Sequence, residues 1–157
     1  MKTSDAGKAL IKSFETCRLK AYPDPKTGGA PWTCGWGSTR GVTPETVWTQ
    51  EQAEAHFEQD IADAEAMVLR YVTHEMTQGQ FDAFVSIFQN VGPGSQYKDG
   101  IGRLKSGNPS TLLRKFNDGD IGGAEDQWEK WISPGTNVTT GLLRRRRAEL
   151  VLFRDES

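Results

Sequence analysis

Histidine and cysteine are scarce in this chain, with two of each in 157 residues. No histidine lies close in sequence to Cys17 or Cys34 to activate a thiol, and two cysteines lack the spacing of a metal site. The expectation is two small, reduced core thiols, with a bridge across the base of the hairpin described below as the alternative. His56 should fall on the polar side of a helix and His74 in the connection after it, neither with a partner at ligand spacing. No metal and no cofactor is expected. A dominant charge is missing too: 19 Lys and Arg against 21 Asp and Glu leave a formal −2. A general nucleic-acid or membrane-surface binder would need a large basic excess. Long apolar runs are lacking. The first twelve residues contain only Ala9-Leu10-Ile11 uninterrupted, between Lys8 and Lys12, so no signal peptide, transit peptide or membrane anchor is expected. Repeats and low-complexity stretches are also missing, and the length suits one domain that buries about two-thirds of its unfolded surface.

What is present is mostly helical patterning. Leu10, Ile11 and Phe14 follow the candidate caps Thr3 and Ser4, which predicts a first helix with Glu15 on its last turn. Thr49 and Gln52 form a capping box ahead of the stripe Phe57, Ile61, Ala64 and Val68. Thr77 and Gln80 form another, and Phe81, Phe84, Val85 and Phe88 make the helix after it apolar nearly all round, as a buried central helix should be. Gly92-Pro93-Gly94 ends it. A polar, Gly-rich connection over 95–108 leads to short helices at 110–117 and 121–131, broken by Asp118-Gly119-Asp120, and a last helix runs from about Thr140 to Phe153.

Between the first two helices the period changes. Arg18 to Tyr22 reads as a strand, Pro23-Asp24-Pro25 to Gly29 as a turn-rich connection and Trp32 to Trp36 as a second strand, so the chain doubles back and can carry Asp24 toward Glu15. Gly35 and Gly37 remove side chains where a ligand could approach, and Thr33 offers a hydroxyl that can donate to a carboxylate and hold a water. Two carboxylates on either side of a cleft are the minimum equipment for cleaving a glycosidic bond, since one must protonate the leaving oxygen while the other handles water or the sugar cation. Taken singly, each residue has a plainer role: Glu15 a solvated helix end, Asp24 a turn former beside two prolines, Thr33 a strand residue.

The order Glu15, eight residues, Asp24, then Thr33-Cys34-Gly35-Trp36-Gly37 resembles the phage-type lysozyme (endolysin, muramidase) family, glycoside hydrolase family 24. The resemblance continues through Trp48-Thr49-Gln50-Glu51-Gln52-Ala53-Glu54, Phe88-Gln89-Asn90-Val91-Gly92, Ser110-Thr111-Leu112-Leu113-Arg114 and Gly141-Leu142-Leu143-Arg144-Arg145, nearly the whole chain. It implies Glu15 as general acid, Asp24 as the residue that positions or activates water, and Thr33 as the residue that holds that water. Lys26 to Ala30 reads as a small loop insertion relative to that family.

The run Arg144 to Arg147 fans around about 300° of a helix, so it is no flat basic patch. The residues alone predict a solvated helix start with one or two arginines turned inward. The resemblance implies that one arginine pairs with the catalytic Glu, and Arg145 is the choice. Gln89 and Asn90 can present amides to N-acetyl groups and sugar hydroxyls, with Trp32 or Trp36 giving an apolar face to a ring; Asn90 as a helix cap is the other reading.

The expected fold is α+β, a two-lobed lysozyme-like domain over 1–157, with a hairpin lobe at about 17–47 and a helical lobe from 1–16 and 48–157. The expected activity is hydrolysis of the N-acetylmuramic acid–N-acetylglucosamine bond of peptidoglycan. It requires a protonated Glu15 near neutral pH beside an ionised Asp24. The expected partner is the glycan strand. The protein should act as a monomer, without membrane insertion, waiting in the host cytoplasm for a separate protein to open the membrane. A lytic transglycosylase using Glu15 alone and a silent peptidoglycan-binding module are the rival readings.

Overall fold

Side-chain caps set where the helices begin. Thr49 and Gln52 exchange side-chain and backbone hydrogen bonds at 2.9 and 3.1 Å, and Thr77 and Gln80 do the same at 2.9 and 3.1 Å. Each box satisfies two backbone N–H groups that the first helical turn leaves unpaired. In the computed structural model, which describes residues 1–25, 27–133, 135–136 and 138–156, the order is α1 (Asp5–Phe14), β1 (Arg18–Tyr22), β2 (Thr33–Gly35), α2 (Gln50–Tyr71), α3 (Gln78–Val91), α4 (Thr111–Asn117), α5 (Ile121–Trp128) and α6 (Thr139–Phe153). Among the described residues, six helices and one small antiparallel sheet give the expected α+β class.

Three boundaries differ from expectation. Helix α1 stops at Phe14, although the Glu15 N–H still bonds Lys12 O at 3.1 Å. Strand β2 is shorter than 32–36, because Arg18 faces Gly35 while Tyr22 faces Thr33: four steps along β1 oppose two along β2. Such a bulge leaves residues without ladder partners and ends regular pairing. Helix α5 ends at Trp128, short of Trp131, and a looser turn follows it.

The chain divides into two compact units, Met1–Leu10 with Asp63–Ser157, and Ile11–Ala62. In the first unit every residue from Phe81 to Phe88 on α3 is buried. Phe84 meets Phe116 at 4.9 Å, Trp128 at 5.1 Å and Phe153 at 6.2 Å between ring centroids, mostly edge to face, and each such side chain contributes about 1.5–3 kcal/mol on burial. The N-terminal segment is held by two buried carboxylates. Thr3 donates its N–H and hydroxyl to Glu65 at 2.6 and 2.8 Å, and Ser4 donates both of its groups to Asp82.

The second unit holds the hairpin, with Ile11, Cys34, Ala53, Phe57 and Ile61 buried. Strand β1 also bonds 46–48 on its other edge, Ala21 N–H to Thr46 O at 2.9 Å and Trp48 N–H to Leu19 O at 2.8 Å.

Candidate active site

Glu15, Asp24 and Thr33 all belong to the second unit. Glu15 is half-buried, and its carboxyl lies over Gly37: a Cβ built there would stand 2.9 Å from Oε2 and 3.1 Å from Cδ. Gly37 also has φ +88°, a conformation that favours glycine. The free space expected at the two glycines for a ligand is therefore taken by the protein's own groups. A Cβ on Gly35 would meet the Trp48 ring at 3.1 Å and Ala53 at 3.2 Å.

Asp24 is fixed through its main chain. Its N–H donates to Gly29 O at 2.9 Å, and its carbonyl accepts from Gly28 N–H at 2.8 Å. Lys26, the first residue of the expected insertion, lies outside the described residues; Thr27 to Ala30 close on themselves through the Thr27 hydroxyl, which donates to Ala30 O at 3.0 Å. Residues 27–29 thus hold the backbone of the candidate carboxylate.

Thr33 faces Tyr22 across the sheet, and its side chain favours the ionised form of the Tyr22 phenol. The Arg18 guanidinium lies 4.6 Å from the Tyr22 ring centroid. Burial pushes the Tyr22 phenol up, and the negative charge of Glu15 pushes it the same way, so Glu15 acts electrostatically on Tyr22. Sequence reading missed Tyr22. Its signal was its place on β1 two residues before Asp24, but it is the bulge between Arg18 and Tyr22 that sets it opposite Thr33, and the strand pattern does not show that bulge.

Trp36 is held more firmly than a free sugar platform. Its indole N–H donates to Glu54 at 3.0 Å, and Lys12 Nζ sits 5.1 Å from its ring centroid and 2.6 Å from Glu54. Trp32 is half-buried. The hydrogen bond from Lys12, then that from Trp36, holds the Glu54 carboxyl below its ordinary value. A depressed carboxylate stabilises the fold above its unfolded pKa of about 4.3, and that stability disappears as pH falls through the folded value. Glu54→Gln keeps an acceptor for Trp36 but cannot titrate, so its thermal midpoint should fall less than the wild type's between about pH 5 and pH 3. Equal falls in the two proteins would remove Glu54 from the acid response.

His56, half-buried on α2, carries a partner that the sequence did not suggest: its ring stacks on Trp48 at 3.8 Å and 7°. The expectation of two core thiols needs correction. Cys34 is buried, with its thiol pushed up by burial, but Cys17 is only half-buried, 3.8 Å from Gln50 Oε1. Both are free thiols.

In the first unit, Arg145 and Arg146 turn inward on α6 while Arg144 and Arg147 are exposed. Glu149, fully buried, lies 3.5 Å from Arg145 Nε and 2.7 Å from Arg146 Nε. Trp128 Nε1 donates to it at 3.1 Å, and the Ser86 hydroxyl also donates. Burial pushes the Arg146 guanidinium down, opposed by the charge of Glu149. Gln89 Oε1 accepts from Arg145 Nη2 at 2.8 Å and Asn90 Oδ1 from Arg146 Nη2 at 2.8 Å. The helix cap is Gly92, so Asn90 does not fill that role.

The family described as phage lysozyme matches residues 12–149. An endolysin of Acyrthosiphon pisum secondary endosymbiont phage 1 is 37% identical over 98% of both chains. An endolysin of Lactococcus phage c2 is 38% identical over 98% of this chain, which spans 60% of that protein's length. Among solved structures, the muramidase domain of SpmX from Asticaccaulis excentricus superposes with a TM-score of 0.78 at 32% identity, covering 98% of each chain. An endolysin from Escherichia coli O157:H7 phage FAHEc1 also gives 0.78, at 27% identity and coverage of 100% and 96%.

Proposed function

Because the chain belongs to the phage lysozyme family, we propose that it is an endolysin that hydrolyses the β-1,4 bond between N-acetylmuramic acid and N-acetylglucosamine in peptidoglycan, lysing the host cell. It is a glycoside hydrolase of the lysozyme type. Glu15 gives its proton to the glycosidic oxygen as the C1–O bond breaks. A water held by Thr33 attacks C1 from the opposite face, and Asp24 takes the proton that water releases, so the anomeric configuration inverts. The observation that supports this reading is the placement of Thr33 opposite Tyr22 on the hairpin that bears Asp24, with the negative charge of Glu15 acting on the Tyr22 phenol. Trp32, Trp36, Gln89, Asn90 and Arg145 are assigned to the glycan.

The products separate this reading from its rivals. Digested sacculi, analysed by mass spectrometry and by proton NMR before mutarotation, should yield reducing-end muramic acid that starts as the α-anomer. Anhydro-muramic acid would identify a transglycosylase, no product a silent module, and an initial β-anomer would make Asp24 a nucleophile. Thr33 gives a finer test. Thr33→Val, which deletes the hydroxyl, should lose far more activity than Thr33→Ser, which keeps it; equal activity would make the side chain structural.

No helix among the described residues is long and apolar enough to cross a membrane. In this reading the enzyme acts as a monomer on the glycan strand, held in the host cytoplasm until a separate membrane-permeabilising protein admits it to the wall.

A further inference from the structure

The turn that lies over Glu15 is anchored by two carboxylates that take no part in the proposed reaction. Cys34 and Ser38 close the turn through a pair of backbone hydrogen bonds, the N–H of each donating to the carbonyl of the other, at 2.9 and 3.0 Å. Inside it, Gly37 rests on the acid: the atoms nearest a Cβ built there are Oε2, Cδ and Oε1 of Glu15, at 2.9, 3.1 and 3.4 Å. Gly37 has no side chain by which it could be held, and its φ of +88° lies where glycine moves freely. Its place must be set by its neighbours, and both are tied to α2. The Trp36 indole N–H donates to Glu54 Oε1 at 3.0 Å, and the buried Ser38 hydroxyl donates to Asp60 Oδ2.

Glu54 also reaches the helix that carries the acid. Lys12 Nζ donates to its Oε2 at 2.6 Å, and Gln50 Nε2 donates to its Oε1 at 3.0 Å. The Lys12 carbonyl in turn accepts from the Glu15 N–H at 3.1 Å. One carboxylate is thus bonded to the residue that fixes the backbone of Glu15 and to the residue beside the glycine that covers its carboxyl. Hydrogen bonds to an ionised group are roughly twice as strong as neutral ones, which suits them to such a hold.

We infer that Glu54 and Asp60 are positioning residues, which fix the 34–38 turn against α1 so that Gly37 confines the Glu15 carboxyl to the orientation from which it transfers its proton. This rests on the proposed role of Glu15 as general acid and adds to it the groups that aim it. A reacting group misplaced by about 1 Å can cost about 10²-fold in rate while remaining chemically intact.

Glu54→Leu, Glu54→Gln and Ser38→Ala test the assignment, with kcat and KM measured separately on solubilised glycan strands well below each variant's melting point. Glu54→Leu removes the acceptor shared by Trp36 and Lys12, and should lower kcat by about 10- to 100-fold with KM unchanged. Glu54→Gln still offers the indole a carbonyl oxygen and should recover most of that loss. Ser38→Ala removes the other anchor without altering any charge, and should lower kcat in the same way but by less. A merely structural Glu54 would lower the melting point and leave kcat alone. Wild-type kcat in folded Glu54→Leu or in Ser38→Ala would overturn the inference. So would a Glu54→Gln as slow as Glu54→Leu, which would point to charge, or a loss confined to KM, which would mean that Glu54 serves Trp36 as a sugar platform. Ser38→Ala, a single deleted hydroxyl, decides the question if Glu54→Leu does not fold. Failure of the underlying acid assignment shows separately, as turnover kept by Glu15→Gln whatever these variants do.

Discussion

Glu15→Gln is expected to bring lysis of sacculi down by about 10²–10⁴-fold, the usual contribution of general acid–base catalysis, with folding unchanged. The substitution preserves size and one carbonyl oxygen, so it fits the space that Gly37 leaves and needs no movement of the hairpin. What it removes is the transferable proton. The leaving sugar oxygen must then depart as an alkoxide, while Asp24 and Thr33 can still position water. Binding to sacculi should persist, which separates lost chemistry from lost recognition. Near-native turnover by a folded Glu15→Gln protein would remove Glu15 from the role of acid. Gly37→Ala offers a contrast: its Cβ would press on the same carboxyl and adopt an unfavourable φ, so it should lower stability as well as rate.

Features written in consecutive residues were legible in the sequence. The capping boxes at Thr49 and Thr77 and the apolar run of α3 are local, and local chemistry decides them. The hairpin was legible as strand, turn and strand, but its register was not. The bulge that sets Tyr22 opposite Thr33 depends on β1 bonding 46–48 on its far edge as well as β2, and no short window contains both edges. The two glycines were legible as special, but the atoms they accommodate come from elsewhere in the chain: Glu15 just past α1, Trp48 just before α2 and Ala53 on α2. Trp36 looked like a surface ring because Lys12 and Glu54, which hold it, are distant in sequence. The arginine run carried an unused signal. Glu149 lies four residues after Arg145 and three after Arg146, the spacings at which helical side chains meet, and that alone separates the inward pair from Arg144 and Arg147.

Glu149→Ala should be the most destabilising single change in the first unit, and its cost comes from what is left behind. Arg146 is fully buried, and its guanidinium has Glu149 for a counter-ion. Removing one partner of a buried pair typically costs about 3–5 kcal/mol, because the other charge stays in a poorly solvating interior. Total stability for a chain of this kind is about 5–15 kcal/mol, so a large share would go. At about 2–4 °C per kcal/mol for domains of this size, the melting point should drop by roughly 6–20 °C. The Ser86 hydroxyl and the Trp128 indole would lose their acceptor as well. A double variant, Arg146→Met with Glu149→Leu, distinguishes the causes. If the orphaned charge dominates, the double variant should be more stable than Glu149→Ala, since well-packed apolar replacements of a buried pair are often neutral or stabilising. If lost packing and hydrogen bonds dominate, it should be no better. A melting point within about 2 °C of wild type for Glu149→Ala would mean that Arg146 finds solvent or another partner.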